Sequence, residues 1–143
     1  MSNPIQGVVT VLGRVLLSTI FLLAAVGNDI PKFNDVAQVM ASAGIPAPQL
    51  MLVGAIVFLI AGSLSVMLGF KARIGAALLL VFLVLATYYF HNFWSIADAQ
   101  AKEQQMIEFM KNLSMMGAML LIIANGSGPM SLDNRTARIP VPQ

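Results

Sequence analysis

The sequence predicts an all-α polytopic membrane protein: a four-transmembrane-helix bundle with short interfacial helices in the two outer connections. Of its 143 residues, 58% are hydrophobic and 10% are charged, whereas a soluble domain carries about a quarter charged residues. Four apolar runs approach the length of about 20 residues that crosses a hydrocarbon layer as a helix. The runs do not alternate, and lipid admits only helices and closed barrels. Helices are therefore favoured over strands.

The apolar runs and the residues that end them place each span. We expect one domain over 1–143, with spans at about 5–26, 47–69, 74–91 and 109–124 and a tail over 125–143. Pro31 ends the first span, because proline cannot continue a helix, and Pro48 starts the second. A charged turn around Lys71 separates the second span from the third.

Each outer connection has helical spacing of its own. The first, over 32–44, has four apolar residues on one helix face: Phe33, Val36, Val39 and Met40. The second, over 95–110, begins with Ser95 three residues ahead of Asp98, which resembles a capping box. The sequence therefore predicts one short helix on the outer surface in each connection.

The orientation follows from the positive residues in the loops. With four spans, the two termini and the turn over 69–73 lie on one side of the membrane. That side carries Lys71, Arg73, Arg135 and Arg138. The opposite side carries Lys32, Lys102 and Lys111, diluted by Asp29, Asp35, Asp98, Glu103 and Glu108. Because positive residues concentrate in cytoplasmic loops, both termini are predicted to be cytoplasmic.

The composition excludes several kinds of chemistry. The chain has no cysteine and one histidine, so it has no thiolate site and no bis-histidine haem pair. A net charge of +2 does not favour nucleic acid. The ten methionines are interpreted as adaptable packing residues rather than copper ligands, and no metal site is predicted. No nucleophile with its base is visible, so no catalytic residue is named and an enzyme is not favoured.

Arg14 is the first candidate site residue, because a charge inside a span costs at least about 2.5–3.5 kcal/mol unless it is paired. Thr10, Arg14 and Ser18 recur every four residues and share one helix face. In one interpretation, Arg14 and Ser18 bind an anionic or carbonyl-bearing ligand, such as a quinone head group or a lipid phosphate. In the other, Arg14 forms a structural ion pair with Asp133 or extends to the cytoplasmic interface.

A second polar cluster is expected at the outer end of the bundle. The ends of three spans bring together Asn28, Asp29, His91, Asn92, Trp94, Lys111 and Asn112. Asp29 and Lys111 are predicted to form an ion pair. The cluster is either a pocket for a head group or a proton relay, with His91 titrating near neutral pH, or an interfacial collar of charged and aromatic residues. The aromatic side chains fit a membrane belt or a stacking site for a quinone.

Small residues four apart mark faces where helices can approach closely. They occur as Ala61, Ser65 and Gly69 in the second span, Ala72 and Ala76 in the third, and Ser114 and Ala118 in the fourth. These faces serve either contacts within the bundle or a contact with a partner subunit.

Four segments carry a likeness to a known family. They are RVLLSTIFLLAAVG over 14–27, GFKAR over 69–73, YFHNFW over 89–94 and FMKNLSMMGAMLLIIANGSGPMSLD over 109–133. With them the chain resembles the DoxX family of small four-helix bacterial membrane proteins. That resemblance implies a link to membrane oxidoreductase assemblies, including thiosulfate:quinone oxidoreductase subunits and oxidative-stress complexes.

The resemblance also bears on particular residues. Arg14, Lys111, Asn112 and Asp133 fall on motif positions of the family. The chain departs from the family at Asn28 and Asp29, where many members have a lysine. It departs again at Leu59, where many have a glutamate inside the second helix. The missing glutamate lowers the expectation of catalysis and raises that of an accessory role.

Three functions are therefore weighed. The leading expectation is a non-catalytic accessory subunit of a redox or envelope complex in the bacterial inner membrane. Its partners would be the lipid bilayer and either other membrane subunits or further copies of itself. The alternative is a quinone-binding subunit of a membrane oxidoreductase, with quinone as its cofactor. A second alternative, based on the stripe over 10–18, is a carrier of small solutes or lipids.

Overall fold

The fold was analysed in a computed structural model that describes residues 3–136, and this part of the chain is all-helical. Its helices are α1 (Pro4–Leu23), α2 (Phe33–Ser42), α3 (Pro48–Leu68), α4 (Ala72–Phe90), α5 (Ala99–Asn125) and α6 (Leu132–Thr136). A π-helical turn, Ala24–Asp29, continues α1, and a 3₁₀ turn, Phe93–Ser95, precedes α5. Residues 1–2 and 137–143, including Arg138 of the charge count, lie outside the described residues.

Four helices are long and apolar enough to cross a membrane, which confirms the predicted fold class. They are α1 with its π-helical turn, α3, α4 with the turn that follows it, and α5. The α3–α4 pair lies at the centre, with α1 packed against α3 and α5 packed against α4. α2 covers part of α3 in the first outer connection, where the sequence predicts it.

The two ends of the bundle differ, and we name them by what they carry. The tail end is formed by the start of α1, the turn over 69–71 between α3 and α4, and the end of α5. Residues 126–136 fold over it. The loop end carries α2 and the 3₁₀ turn before α5.

The central helices α3 and α4 approach each other at two glycines. A Cβ atom on Gly62 would lie 2.9 Å from the carbonyl oxygen of Gly75, and one on Gly75 would lie equally close to the carbonyl oxygen of Gly62. The small-residue stripe of the sequence analysis included Ala61, which is exposed. Ser65 of the same stripe does lie at the contact, against Gly75, and Ala72 and Ala76 of α4 are fully buried. The closest backbone approach is at Gly62, the residue after Ala61, and membrane helices gain close packing at such small residues.

The second outer connection differs from its prediction. A separate helix over 95–110 and a span over 109–124 are expected from the sequence, but one 27-residue helix, α5, runs through both. The Asp98 carboxylate caps α5 by accepting from the N–H of Ala101 at 2.8 Å. The Ser95 hydroxyl instead donates to the carbonyl of Asn92. No glycine or proline lies between the polar and apolar halves, so nothing ends the helix where polarity changes.

The close approach of α3 and α4 can be tested with matched alanine variants. Gly62→Ala should lower the free energy of unfolding by about 1–3 kcal/mol, because the new methyl group meets a backbone oxygen that cannot move aside. Gly54→Ala in the same helix is the control, since a Cβ there has nothing within 4 Å. Thermal unfolding in detergent measures both. Equal midpoints for the two variants would contradict the packing described.

Candidate functional sites at the two ends of the bundle

Arg14 holds the tail of the chain against α1. Its side chain is 5% exposed. One terminal nitrogen, Nη1, donates to the carbonyl of Ser127 at 2.8 Å, and the other, Nη2, donates to the carbonyl of Met130 at 2.9 Å. A Cβ atom on Gly69 would overlap the guanidinium and the Cβ atom of Ser131, so a larger residue there would displace them. Arg14 is therefore level with the α3–α4 turn, at the tail end of the bundle.

Asp133 reaches back from the tail to cap α4. Its carboxylate accepts from the N–H of Lys71 at 2.7 Å and from the N–H of Ala72 at 3.2 Å. Its own N–H donates to the carbonyl of Gly69 at 2.8 Å. No side chain next to the α4 N-terminus caps it. A carboxylate from a distant part of the chain therefore accepts hydrogen bonds from these amides, and its negative charge is stabilised by the positive end of the helix dipole.

Ser127 connects the two charged residues. Its carbonyl accepts from Arg14, while its hydroxyl lies 3.3 Å from the Asp133 carboxylate and 2.9 Å from the Ser131 hydroxyl. Both serines are buried. The structure thus brings the predicted pair of Arg14 and Asp133 into one cluster in which their charges attract. The described hydrogen bonds of Arg14 go to backbone carbonyls, whereas Asp133 accepts from two backbone amides and from the Ser127 hydroxyl. We call Arg14, Ser127, Met130, Ser131 and Asp133 the tail clasp.

The polar stripe of α1 points inward, as its spacing indicates. Thr10 donates to the carbonyl of Gln6 at 2.7 Å within its own helix, and Ser18 is fully buried. Within residues 3–136, two buried atoms of the stripe have no hydrogen-bond partner: Nε of Arg14 and Oγ of Ser18. The tail lies against Thr10 and Arg14, two of the three residues on which the carrier interpretation rests.

At the loop end, two hydrogen bonds join α4 or its end to α5. The Asn112 amide donates to the hydroxyl of Thr87 at 3.0 Å, and Thr87 is buried. Nδ1 of His91 lies 2.8 Å from Oε1 of Gln105. Thr87 and Gln105 were not singled out in the sequence, because neither residue carries a charge or belongs to a recognisable motif.

Lys111 has a different partner from the one predicted. Its Nζ lies 2.8 Å from Oε1 of Glu108, three residues earlier on the same helix face, and both side chains are about half exposed. Asp29 instead accepts from the Asn28 amide at 3.0 Å. The predicted Asp29–Lys111 pair does not form. Lys111 pairs instead with Glu108, which lies one turn away on the same face of α5.

An aromatic cluster forms beside the His91–Gln105 pair. Phe93, Trp94 and Phe109 contact one another edge to face, with ring centroids 5.3–6.1 Å apart. Trp94 is 57% exposed, and Asn92 accepts from the Ser95 hydroxyl. Rings arranged in this way suit both a membrane belt and a stacking surface. Among the residues described, no three acidic or histidine side chains gather as metal ligands would.

The sequence is similar to a known protein family and to several known proteins. A family model described as DoxX matches residues 9–92. Inner membrane protein YphA of Escherichia coli (strain K12) is 34% identical over 132 residues, which cover 90% of each chain. Inner membrane protein YqjF of the same strain is 30% identical over 92% of this chain and 94% of that protein.

A more distant likeness extends to a eukaryotic protein. Surfeit locus protein 4 homolog of Schizosaccharomyces pombe is 26% identical over 86% of this chain and 36% of its own length. No solved structure matches.

The cap that Asp133 provides can be measured. Asp133→Ala should lower the free energy of unfolding by about 0.5–2 kcal/mol, because the first amides of α4 lose their acceptor. Glu103→Ala, which removes an exposed carboxylate on α5 at the loop end, is the matched control and should change little. Chemical unfolding monitored by helical circular dichroism reports both. Two variants of equal stability would show that the cap contributes nothing.

Proposed function

The chain belongs to the DoxX family, and we propose that it is a non-catalytic accessory subunit that binds another integral membrane protein through the outer face of α5. The observation behind this proposal is a mismatch between the exposure of α5 and its polarity. In the most apolar 18-residue window of α5, 6% of the residues are buried, against 22–28% in the corresponding windows of the other three spans. The mean hydropathy of that window is nevertheless the lowest of the four, 1.5 against 2.0–2.5.

In a lipid bilayer the most exposed helix should be the most apolar one, since lipid contacts most of its surface. α5 has the opposite character. Met119 is its one buried residue, while Lys111, Ser114 and Asn125 are exposed along its length. A helix with this composition is explained if a second protein covers the face that this chain leaves open.

The middle of that face suits a transmembrane helix as its partner. Ser114 and Gly117 are small and exposed, and a Cβ atom at Gly117 would meet nothing within 4 Å. Small residues let two helix backbones approach, and this packing drives association where lipid is as apolar as the side chains. The proposed partner is therefore a membrane-spanning helix of another subunit, packed along α5.

The interior of the bundle agrees with a role that involves no catalysis. Leu59 occupies the position where the family resemblance implies an intramembrane glutamate. Its side chain is fully buried in the apolar core, together with Phe21, Leu79 and Leu83. A leucine there can neither bind nor release a proton, so the centre of this bundle serves packing.

The proposed location is the bacterial inner membrane, with the tail end cytoplasmic. Two relatives that cover most of the chain are inner membrane proteins. In the sequence, the end predicted to carry both termini has four basic residues, Lys71, Arg73, Arg135 and Arg138, against the three lysines of the loop end, Lys32, Lys102 and Lys111. That asymmetry has the sign of the positive-inside rule.

A matched pair of glycine variants tests the partner surface. Gly117→Leu should reduce the amount of partner subunit retained in gentle detergent by about tenfold, equivalent to about 1.4 kcal/mol, because the side chain prevents close approach. Gly54→Leu places the same side chain on the open side of α3 and should retain the partner. The mass of the complex purified from native membranes is the readout.

Two results would contradict the proposal. One is a wild-type protein that purifies from native membranes only as a monomer. The other is a complex that contains this chain alone and dissociates on Gly117→Leu, which would assign the face of α5 to a second copy.

A second candidate function rests on the aromatic cluster at the loop end. Phe93, Trp94 and Phe109 offer ring faces and edges beside His91. Nδ1 of His91 is paired with Gln105, and Nε2 can donate to a carbonyl oxygen in the tautomer that carries the proton there. A quinone ring and its carbonyl need both features. On this hypothesis the protein is a quinone-binding subunit of a membrane oxidoreductase.

The fluorescence of Trp94 tests quinone binding directly, because the chain has one tryptophan. A water-soluble quinone analogue should quench it with saturation, and His91→Ala should raise the dissociation constant about tenfold, as expected for the loss of one good hydrogen bond. Phe70→Leu at the tail end is the control and should bind normally. Quenching that rises linearly and equally in all three proteins would reject this function.

A further inference from the structure

We propose that the tail clasp is the closed form of an anion site, which accepts the phosphate of an anionic phospholipid headgroup when residues 127–133 move away. The inference concerns the tail end of the bundle and goes beyond the partner surface on α5. In the closed form the chain itself supplies the oxygen atoms that occupy the site.

The first argument is that the site already holds an oxyanion. The Asp133 carboxylate accepts from the first amides of α4, at Lys71 and Ala72. α4 has 19 residues, so its N-terminus carries a full helix dipole. Carboxylate and phosphate bind such an N-terminus through the same N–H groups. The position of the Asp133 oxygens is therefore where phosphate oxygens would lie.

The second argument is an unused donor at the same place. A guanidinium has five N–H groups, and the tail engages Arg14 through two carbonyl oxygens, those of Ser127 and Met130. Nε of Arg14 is buried and has no partner among the described residues. Carbonyls carry only partial charge, whereas a phosphate can accept two parallel bonds from one arginine. The clasp thus satisfies this arginine incompletely.

The third argument is the surrounding charge. Arg14 and the exposed Lys71, Arg73 and Arg135 give the described part of the tail end four positive residues against one carboxylate, that of Asp133. Arg14 is level with the turn over 69–71, so the cluster lies where a span ends and headgroups begin. Basic residues near an anionic membrane surface attract its headgroups. A headgroup phosphate is therefore concentrated at this end.

The fourth argument is that the clasp can open. Residues 126–131 form no helix, and Gly126 and Gly128 have φ values of 78° and 71°, which glycine adopts without strain. Met130, whose carbonyl Arg14 holds, has a φ of 54°. A left-handed conformation is strained for a residue that has a side chain. Release of the tail relieves that strain, which offsets part of the hydrogen bonding lost.

The wild-type protein gives the first test. In nanodiscs that contain phosphatidylglycerol, the amides of residues 127–133 should exchange hydrogen about fivefold faster than in nanodiscs of phosphatidylcholine alone, as expected for about 1 kcal/mol of competition. Amides in the middle of α4 are the internal control and should not change. Equal rates of amide exchange for residues 127–133 in the two kinds of nanodisc would overturn the proposal.

The second test removes the internal anion. Asp133→Asn keeps an acceptor oxygen and the size of the side chain but loses the charge. It should increase the phosphatidylglycerol retained in native mass spectrometry about fivefold. Glu103→Gln, the same change at the loop end, should not. Addition of Arg14→Gln to Asp133→Asn should cancel the gain. A gain that survives Arg14→Gln, or that Glu103→Gln reproduces, would overturn the proposal.

A third experiment distinguishes a lipid headgroup from soluble phosphate as the ligand. Inorganic phosphate is titrated into the Asp133→Asn protein in a neutral detergent, and the midpoint of thermal unfolding is compared with that in phosphatidylglycerol-containing detergent. Stabilisation by the lipid alone is the expected result. Equal stabilisation by inorganic phosphate would replace the lipid with a soluble phosphate as the ligand.

Discussion

The N-terminus of α4 determines the construction of the tail end. A helix that starts at the edge of a membrane leaves its first amides without partners, and lipid offers none. No side chain nearby caps α4, so Asp133 returns from the far end of the chain to do so. Arg14, the buried serines and Gly69 then follow as the groups that hold Asp133 in place and make room for it.

The four-helix architecture could be predicted because it follows from the lengths of the apolar runs. Each apolar run matches the thickness of a bilayer, and α2 has its own period. The extent of α5 was missed because polarity changes along it while helix propensity does not. Of the small-residue stripe on α3, Ser65 lies at the contact with α4, whereas Ala61 is exposed and the neighbouring Gly62, about 100° further around the helix, is buried instead.

The sequence predicted which residues form the candidate sites, but not which groups they bind through hydrogen bonds and ion pairs. Arg14 and Asp133 stand out because charges are rare in such a chain. Among their hydrogen-bond partners are backbone groups at Ser127, Met130 and Lys71. Every residue has a backbone carbonyl and nearly every one an amide, so the sequence does not mark which of them will serve as partners. Lys111 has several carboxylates within the same region, and only the helix register selects Glu108.

The return of Asp133 has a consequence for biosynthesis. A membrane protein enters the bilayer from its N-terminus, so α1 to α4 are inserted before the residues that complete their common end have been made. Until Ser127 to Asp133 leave the ribosome, Arg14 and the first amides of α4 have no partners from the tail. A segment translated after all four spans therefore completes the common end of the first three of them.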